Sequence, residues 1–185
     1  EIYTLSLHDA LPIFDSETDI PIVPYRIILG NASFTGSQIK DLGSLQRIGG
    51  NADFRGSEIR DLNQLQSIEG NADFSNTELE SLGQLQSIGG NADFSGVGTI
   101  QGLVQLRSIG GDANFSGAII DTGLLQSIGG NADFRGSGYV NIEELQSIGG
   151  DAYFSGTELE SLGQLQSIGG SADFGDSKIT SLGKL

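Results

Sequence analysis

A twenty-residue unit returns along this chain almost unchanged. GNADFSNTELESLGQLQSIG, at 70–89, recurs with three substitutions at 150–169 and on the same framework of glycine, alanine, phenylalanine and leucine or isoleucine, with more changes, at 50–69 and 130–149. Self-similarity at a fixed period of about 20 to 50 residues marks a solenoid, because each unit is too short to bury an apolar face alone and does so by stacking on its neighbours. Copies begin at Gly30, Gly50, Gly70, Gly90, Gly111, Gly130, Gly150 and Gly170. The pattern predicts one continuous repeat domain over 30–185, about eight coils long.

With the leading glycine as position 1, the apolar residues of the clearest coil are Ala72, Phe74, Leu79, Leu82, Leu85 and Ile88. The first two alternate with Asn71, Asp73 and Ser75, the period of a strand with one buried face. From Leu79 the spacing becomes three, which predicts 3₁₀ turns or an extended, polyproline-like return. No stretch carries a helical apolar face of ten residues. The expected fold is therefore mainly β, a right-handed parallel solenoid with little or no α-helix.

Stacking the coils aligns Phe34, Phe54, Phe74, Phe94, Phe115, Phe134, Phe154 and Phe174 in one inward ladder, beside a column of alanines from Ala32 to Ala172. A large residue next to a small one fills a narrow interior without voids. A Ser/Thr column at position 8 (Ser37, Ser57, Thr77, Ser137, Thr157, Ser177) is expected to hydrogen-bond backbone at the turn leaving the strand.

The coil resembles a leucine-rich repeat of the short bacterial and receptor-L-domain-like kind. Ala72, Phe74, Thr77 and Leu79 fall in register with that family's strand motif, and Thr or Ser stands where the family has its asparagine ladder. It also resembles the pentapeptide-repeat β-helix: Ala52-Asp53-Phe54-Arg55-Gly56 and Ser57-Glu58-Ile59-Arg60-Asp61 match two successive units. The next two units fail at Gln64 and Glu69, whereas leucine-rich spacing accounts for every apolar position. Both resemblances imply a parallel solenoid.

Residues 1–13, EIYTLSLHDALPI, share nothing with the repeats and resemble the translation of a sequencing adapter. They lack the basic and continuous apolar regions of a targeting segment. The only histidine, His8, lies there and so carries no functional argument. Residues 14–29 read as a partial N-terminal cap, although Ile28 stands where Ile48 and Ile68 stand later. Both ends are expected to be cut from a larger protein, and end-to-end association through uncapped coils is a corollary. In the middle, one residue is gained around Val97-Gly98-Thr99, one is lost near Ala118-Ile119-Ile120, and Gly138-Tyr139-Val140 replaces the usual step.

The formal net charge of −15 argues against nucleic acid as a partner. The chain has no cysteine, which excludes disulfides, zinc thiolates and cysteine nucleophiles. No apolar run is long enough to cross a membrane. Carboxylate catalysis on a β-helix wall, as in polysaccharide-degrading enzymes, needs unequal acids in a cleft of long loops, and these coils have none. No catalytic residue is expected.

The outward position 4 reads Ser33, Asp53, Asp73, Asp93, Asn114, Asp133, Tyr153, Asp173. Carboxylates stacked about 4.8 Å apart should repel, raising some of their pKa values, or recruit cations such as calcium at Asp53, Asp73 and Asp93. Tyr153 interrupts the row, with Asp133 beside it, Arg135 two residues further on and Tyr139 at the altered turn. Tyrosine and arginine are enriched at binding hot spots. These four residues are the expected recognition patch. The sequence thus points to a non-catalytic binding or adhesion surface for a protein or glycan, extracellular or at the cell surface, with a structural spacer as the alternative.

Overall fold

The computed structural model of the chain describes residues 26–100 and 105–185. The expectations for residues 1–13 and for most of the cap lie outside those residues. Every strand pairing is parallel, and the described residues contain no helix. The chain is a β-solenoid, with two strands per regular coil where the sequence predicted one.

The first sheet has eight strands, from Ala32–Ser33 through Ala72–Asp73 to Ala172–Asp173, in register at positions 3 and 4. The second, also of eight, runs from Ile27–Ile28 through Ser87–Ile88 to Ser167–Ile168 at positions 18 and 19. Ile27–Ile28 lies in register with Arg47–Ile48, so the described end of segment 14–29 follows the path of a coil. On the third side the regular coils make only isolated bridges, as at Asp61 and Ser81. The irregular coils form a three-stranded sheet there: Thr99–Ile100, Ile119–Asp121 and Val140–Asn141.

The three-residue apolar spacing combines both predicted alternatives, an i→i+3 turn and an extended return. A turn closed by Leu85 N–H donating to the Leu82 carbonyl (3.0 Å) separates two extended sides, and each side turns one leucine or isoleucine inward. The corner after the first strand is closed by Thr77 N–H to the Phe74 carbonyl, with Asn76 at φ 56° and Asp176 at φ 53° where the other coils have glycine. Glycine, asparagine and aspartate are the residues that best tolerate this left-handed backbone, which explains their choice at position 7.

All six apolar positions of the coil are buried, and the phenylalanines stack as predicted. Ring centroids are 4.8 Å apart at Phe34–Phe54 and 5.6 Å apart at Phe154–Phe174, with near-parallel planes. Phe34 to Phe154 are fully buried, whereas Phe174 is only partly covered. The position-8 hydroxyls follow expectation in part. Thr77 and Thr157 donate to the Phe74 and Phe154 carbonyls at 2.7 and 2.8 Å, Ser177 donates to Phe174, and Ser137 reaches back to Phe115. Ser37 and Ser57 are different: their hydroxyl oxygens are buried without a partner. Serine lacks the β-methyl that restricts the threonine rotamer.

A second ladder was not foreseen. The side-chain oxygen of each position-2 residue accepts the backbone N–H of the position-2 residue one coil on. The series runs through Asn31, Asn51, Asn71, Asn91, Asp112, Asn131 and Asp151, with distances of 2.7 to 2.9 Å. This ladder of amides and carboxylates runs just before the first strand, not along the Ser/Thr column.

Ile100 pairs with Ile120 and Ile120 with Val140, so the three occupy equivalent places. Strand register places the extra residue of the coil starting at Gly90 between Ala92, in register with Ala72, and Ser108, in register with Ser87. The lost residue of the next coil lies between Ala113 and Ile120, as expected.

Candidate functional site

The position-4 column faces outward but is not idle. Asp53, Asp73, Asp93, Asn114, Asp133 and Asp173 each accept the backbone N–H of the residue two further on, at 2.8 to 3.2 Å. These are Asx-type turns, in which a short acidic or amide side chain caps the corner that leaves the strand. The first job of the row is therefore to hold the turn.

Its electrostatics differ from a row of repelling charges. Asp53 and Asp73 are neighbours in register, and Arg55 lies between them, 2.5 Å from Asp53 Oδ2 and 3.5 Å from Asp73 Oδ2. The Arg55 side-chain hydrogen bond holds the Asp53 carboxyl below its usual range, against a smaller opposing effect of burial. At Asp133 burial pushes the pKa up, but the side-chain and backbone hydrogen bonds of Arg135 and its charge outweigh it and leave the group low. For these two aspartates the shift is opposite to the predicted rise, because arginine at position 6 supplies the counter-charge. Asp53, Asp73 and Asp93 are consecutive in the sheet. Among the described residues no group of three or more acidic or histidine side chains is placed to hold a metal ion.

Folded pKa values below the unfolded value of about 3.9 mean that Asp53 and Asp133 contribute stability above that pH. The contribution is lost as pH falls through their lowered values. Melting curves recorded from neutral pH to pH 2 should therefore steepen their decline below about pH 4. Arg55→Gln with Arg135→Gln should flatten that part of the profile. An unchanged profile in the double variant would show that the arginines do not set these carboxyls.

At the interruption, the structure brings three of the four expected residues together. Asp133 and Tyr153 are paired in register on adjacent strands. Arg135 Nε donates to Asp133 Oδ1 at 3.0 Å, and its guanidinium lies over the Tyr153 ring, 5.1 Å from the centroid. Such a cation–π contact contributes about 0.5–1 kcal/mol at an exposed site. Tyr153 donates its hydroxyl proton to Asp151 Oδ2 at 3.2 Å, and that hydrogen bond, with the Asp151 charge, pushes the phenol pKa up. The same Asp151 belongs to the position-2 ladder, so the ring is fixed at both its face and its tip. Arg55 and Arg135 occupy equivalent places. One meets a second carboxylate in the next coil and the other meets an aromatic ring.

Tyr139 is not part of this cluster. It lies in the turn leading into Val140–Asn141, on the third side, and is 58% exposed.

The fold and its surface define a parallel β-solenoid of near-identical coils, broken on one face by an arginine–tyrosine stack and on another by an extra sheet. Compared with protein-family models, curated proteins and solved structures, the chain has no match.

Proposed function

We propose that the chain is a non-catalytic binding or adhesion surface on a leucine-rich-repeat-like scaffold, acting outside the cell or at its surface on a protein or glycan. The observation that carries this reading is the Tyr153–Arg135–Asp133 cluster, the one place where an aromatic ring replaces the turn-capping residue of the first sheet. It combines an aromatic surface, a guanidinium and carboxylate acceptors, the groups that dominate recognition hot spots. The leucine-rich type of coil draws support from the burial of leucine or isoleucine at positions 10, 13, 16 and 19.

The competing reading is a stiff spacer, favoured by the unbroken stack from Phe34 to Phe174. Arrays of immobilised glycans and surface proteins separate the two. Tyr153→Asp is expected to weaken a captured ligand at least tenfold, about 1.4 kcal/mol, at unchanged melting temperature. Asp73→Tyr, the reverse change in a regular coil, should leave binding alone. If no ligand depends on Tyr153, the spacer reading stands.

A further inference from the structure

The exposed large apolar side chains of this solenoid are not scattered. Those described are Ile27 and Leu29 just before the first coil, Leu182 and Leu185 in the last, and otherwise only Ile119, Leu124 and Tyr139. The last three belong to two consecutive coils, on and beside the third sheet. Ile119 pairs with Thr99, which is also exposed, and Ile120 with Val140, so Tyr139 continues the same row. A Cβ added at Gly138 would touch Ile119, which confirms how closely the Tyr139 turn approaches it. Regular coils place Glu58 and Arg60, Glu78 and Glu80, or Glu158 and Glu160 on this side, all exposed.

The rim is acidic in a particular way. Beyond the apolar row come Asp121 and Asn141, hydrogen-bonded to one another at 3.2 Å, then the turn with Glu143 and Glu144, the latter one coil on from Leu124. In regular coils several glutamates of this side are ion-paired: Arg60 bridges Glu78 and Glu80, and Lys178 bridges Glu158, whereas Glu58 and Glu160 make no ion pair among the described residues. Among the described residues Glu143 and Glu144 make no ion pair, although both are exposed. The only lysine or arginine in the coils starting at Gly111 and Gly130 is Arg135, which lies on the first sheet, so this side carries no cation where it exposes apolar side chains.

We propose that this third sheet is a docking surface for an extended polypeptide segment of mixed basic and apolar character. Its apolar side chains cover Ile119, Tyr139 and Leu124, and its lysines or arginines meet Glu143, Glu144 and Asp121. Charge complementarity selects this occupant. A second copy would bring the same unpaired glutamates and a net charge of −15 against the patch, and like charges facing each other across an interface are unfavourable. The site lies on a different side of the coil from Tyr153 and is independent of it.

The test uses the full chain and two labelled peptides of equal charge, one alternating lysine with leucine and one alternating lysine with glycine, at physiological salt. The lysine–leucine peptide is expected to bind at least tenfold more tightly. Tyr139→Ser and Ile119→Ser should each remove most of that difference, Glu143→Gln with Glu144→Gln should weaken both peptides, and Tyr153→Asp should leave the difference intact. Circular dichroism and melting temperature establish that each variant is folded. Equal binding of the two peptides, or insensitivity to the Tyr139 and Ile119 changes, overturns the proposal in favour of general acidity. Dimerisation in light scattering that Tyr139→Ser abolishes would assign the surface to a second copy instead.

Discussion

Replacing Phe94 with alanine is expected to destabilise the fold by about 3–5 kcal/mol, the usual cost of deleting a buried phenylalanine and leaving its cavity. Phe94 is fully buried and stacked on both sides, 5.0 Å from Phe74 and 5.2 Å from Phe115. Phe174 has one ring neighbour, at 5.6 Å, and is partly exposed, so Phe174→Ala should cost less than half as much. The contrast follows from one-dimensional construction, in which each coil is held by the coil before and the coil after. Chemical denaturation of both variants measures it. A mid-array loss should also divide the transition, with amide exchange accelerating on both sides of the coil at 90–110. Equal and small losses at the two sites would mean that the stack does not organise the core.

The second large effect is expected at a glycine. A Cβ at Gly90 would stand 2.1 Å from Asn71 Oδ1 and 3.0 Å from backbone of the preceding coil. Asn71 Oδ1 accepts the Asn91 N–H at 2.8 Å, so the added methyl has no room unless the ladder gives way. Overpacking costs about 1–3 kcal/mol and the broken hydrogen bond about 1 more, which places Gly90→Ala at about 2–4 kcal/mol. Gly98→Ala is the control, because nothing lies within 4 Å of its added Cβ; a change within about 0.5 kcal/mol is expected there. Because the clash is with a neighbour's side chain, Asn71→Ala and Gly90→Ala should be non-additive, the double variant costing less than the two single changes together. Strict additivity would show that the ladder oxygen is not what excludes the methyl.

The two effects expose different kinds of information. Phe94 could be placed inward from the chain alone: alternation around Ala92 and Phe94 fixes a face, and a twenty-residue period stacks like on like. The solenoid, the phenylalanine ladder and the absence of helix among the described residues all rest on spacing within one coil and repetition between coils. Even the left-handed corners are legible, since Gly36, Gly56, Asn76 and Gly96 share one column. Gly90 is harder. Its constraint comes from an oxygen nineteen residues earlier in sequence.

What escaped the sequence reading has that character throughout. Asn71 alternates with apolar neighbours as any outward strand residue would, and only the stacked coil shows its oxygen meeting the next coil's N–H. Asp53 and Asp133 read as members of a repelling row until the arginines two residues on fold back across them. Ser87 and Ile88 are too few to declare a strand, since two residues carry no period; eight coils in register make them one. The third sheet pairs Ile100 with Ile120 and Ile120 with Val140, across coils of unequal length whose register no single coil discloses. Spacing along the chain thus determined which residues face inward. Which groups meet between coils was decided by the stacking register and the turn geometry, because those contacts join residues nineteen to twenty-two positions apart through a hydrogen bond or a ring face that no local pattern encodes.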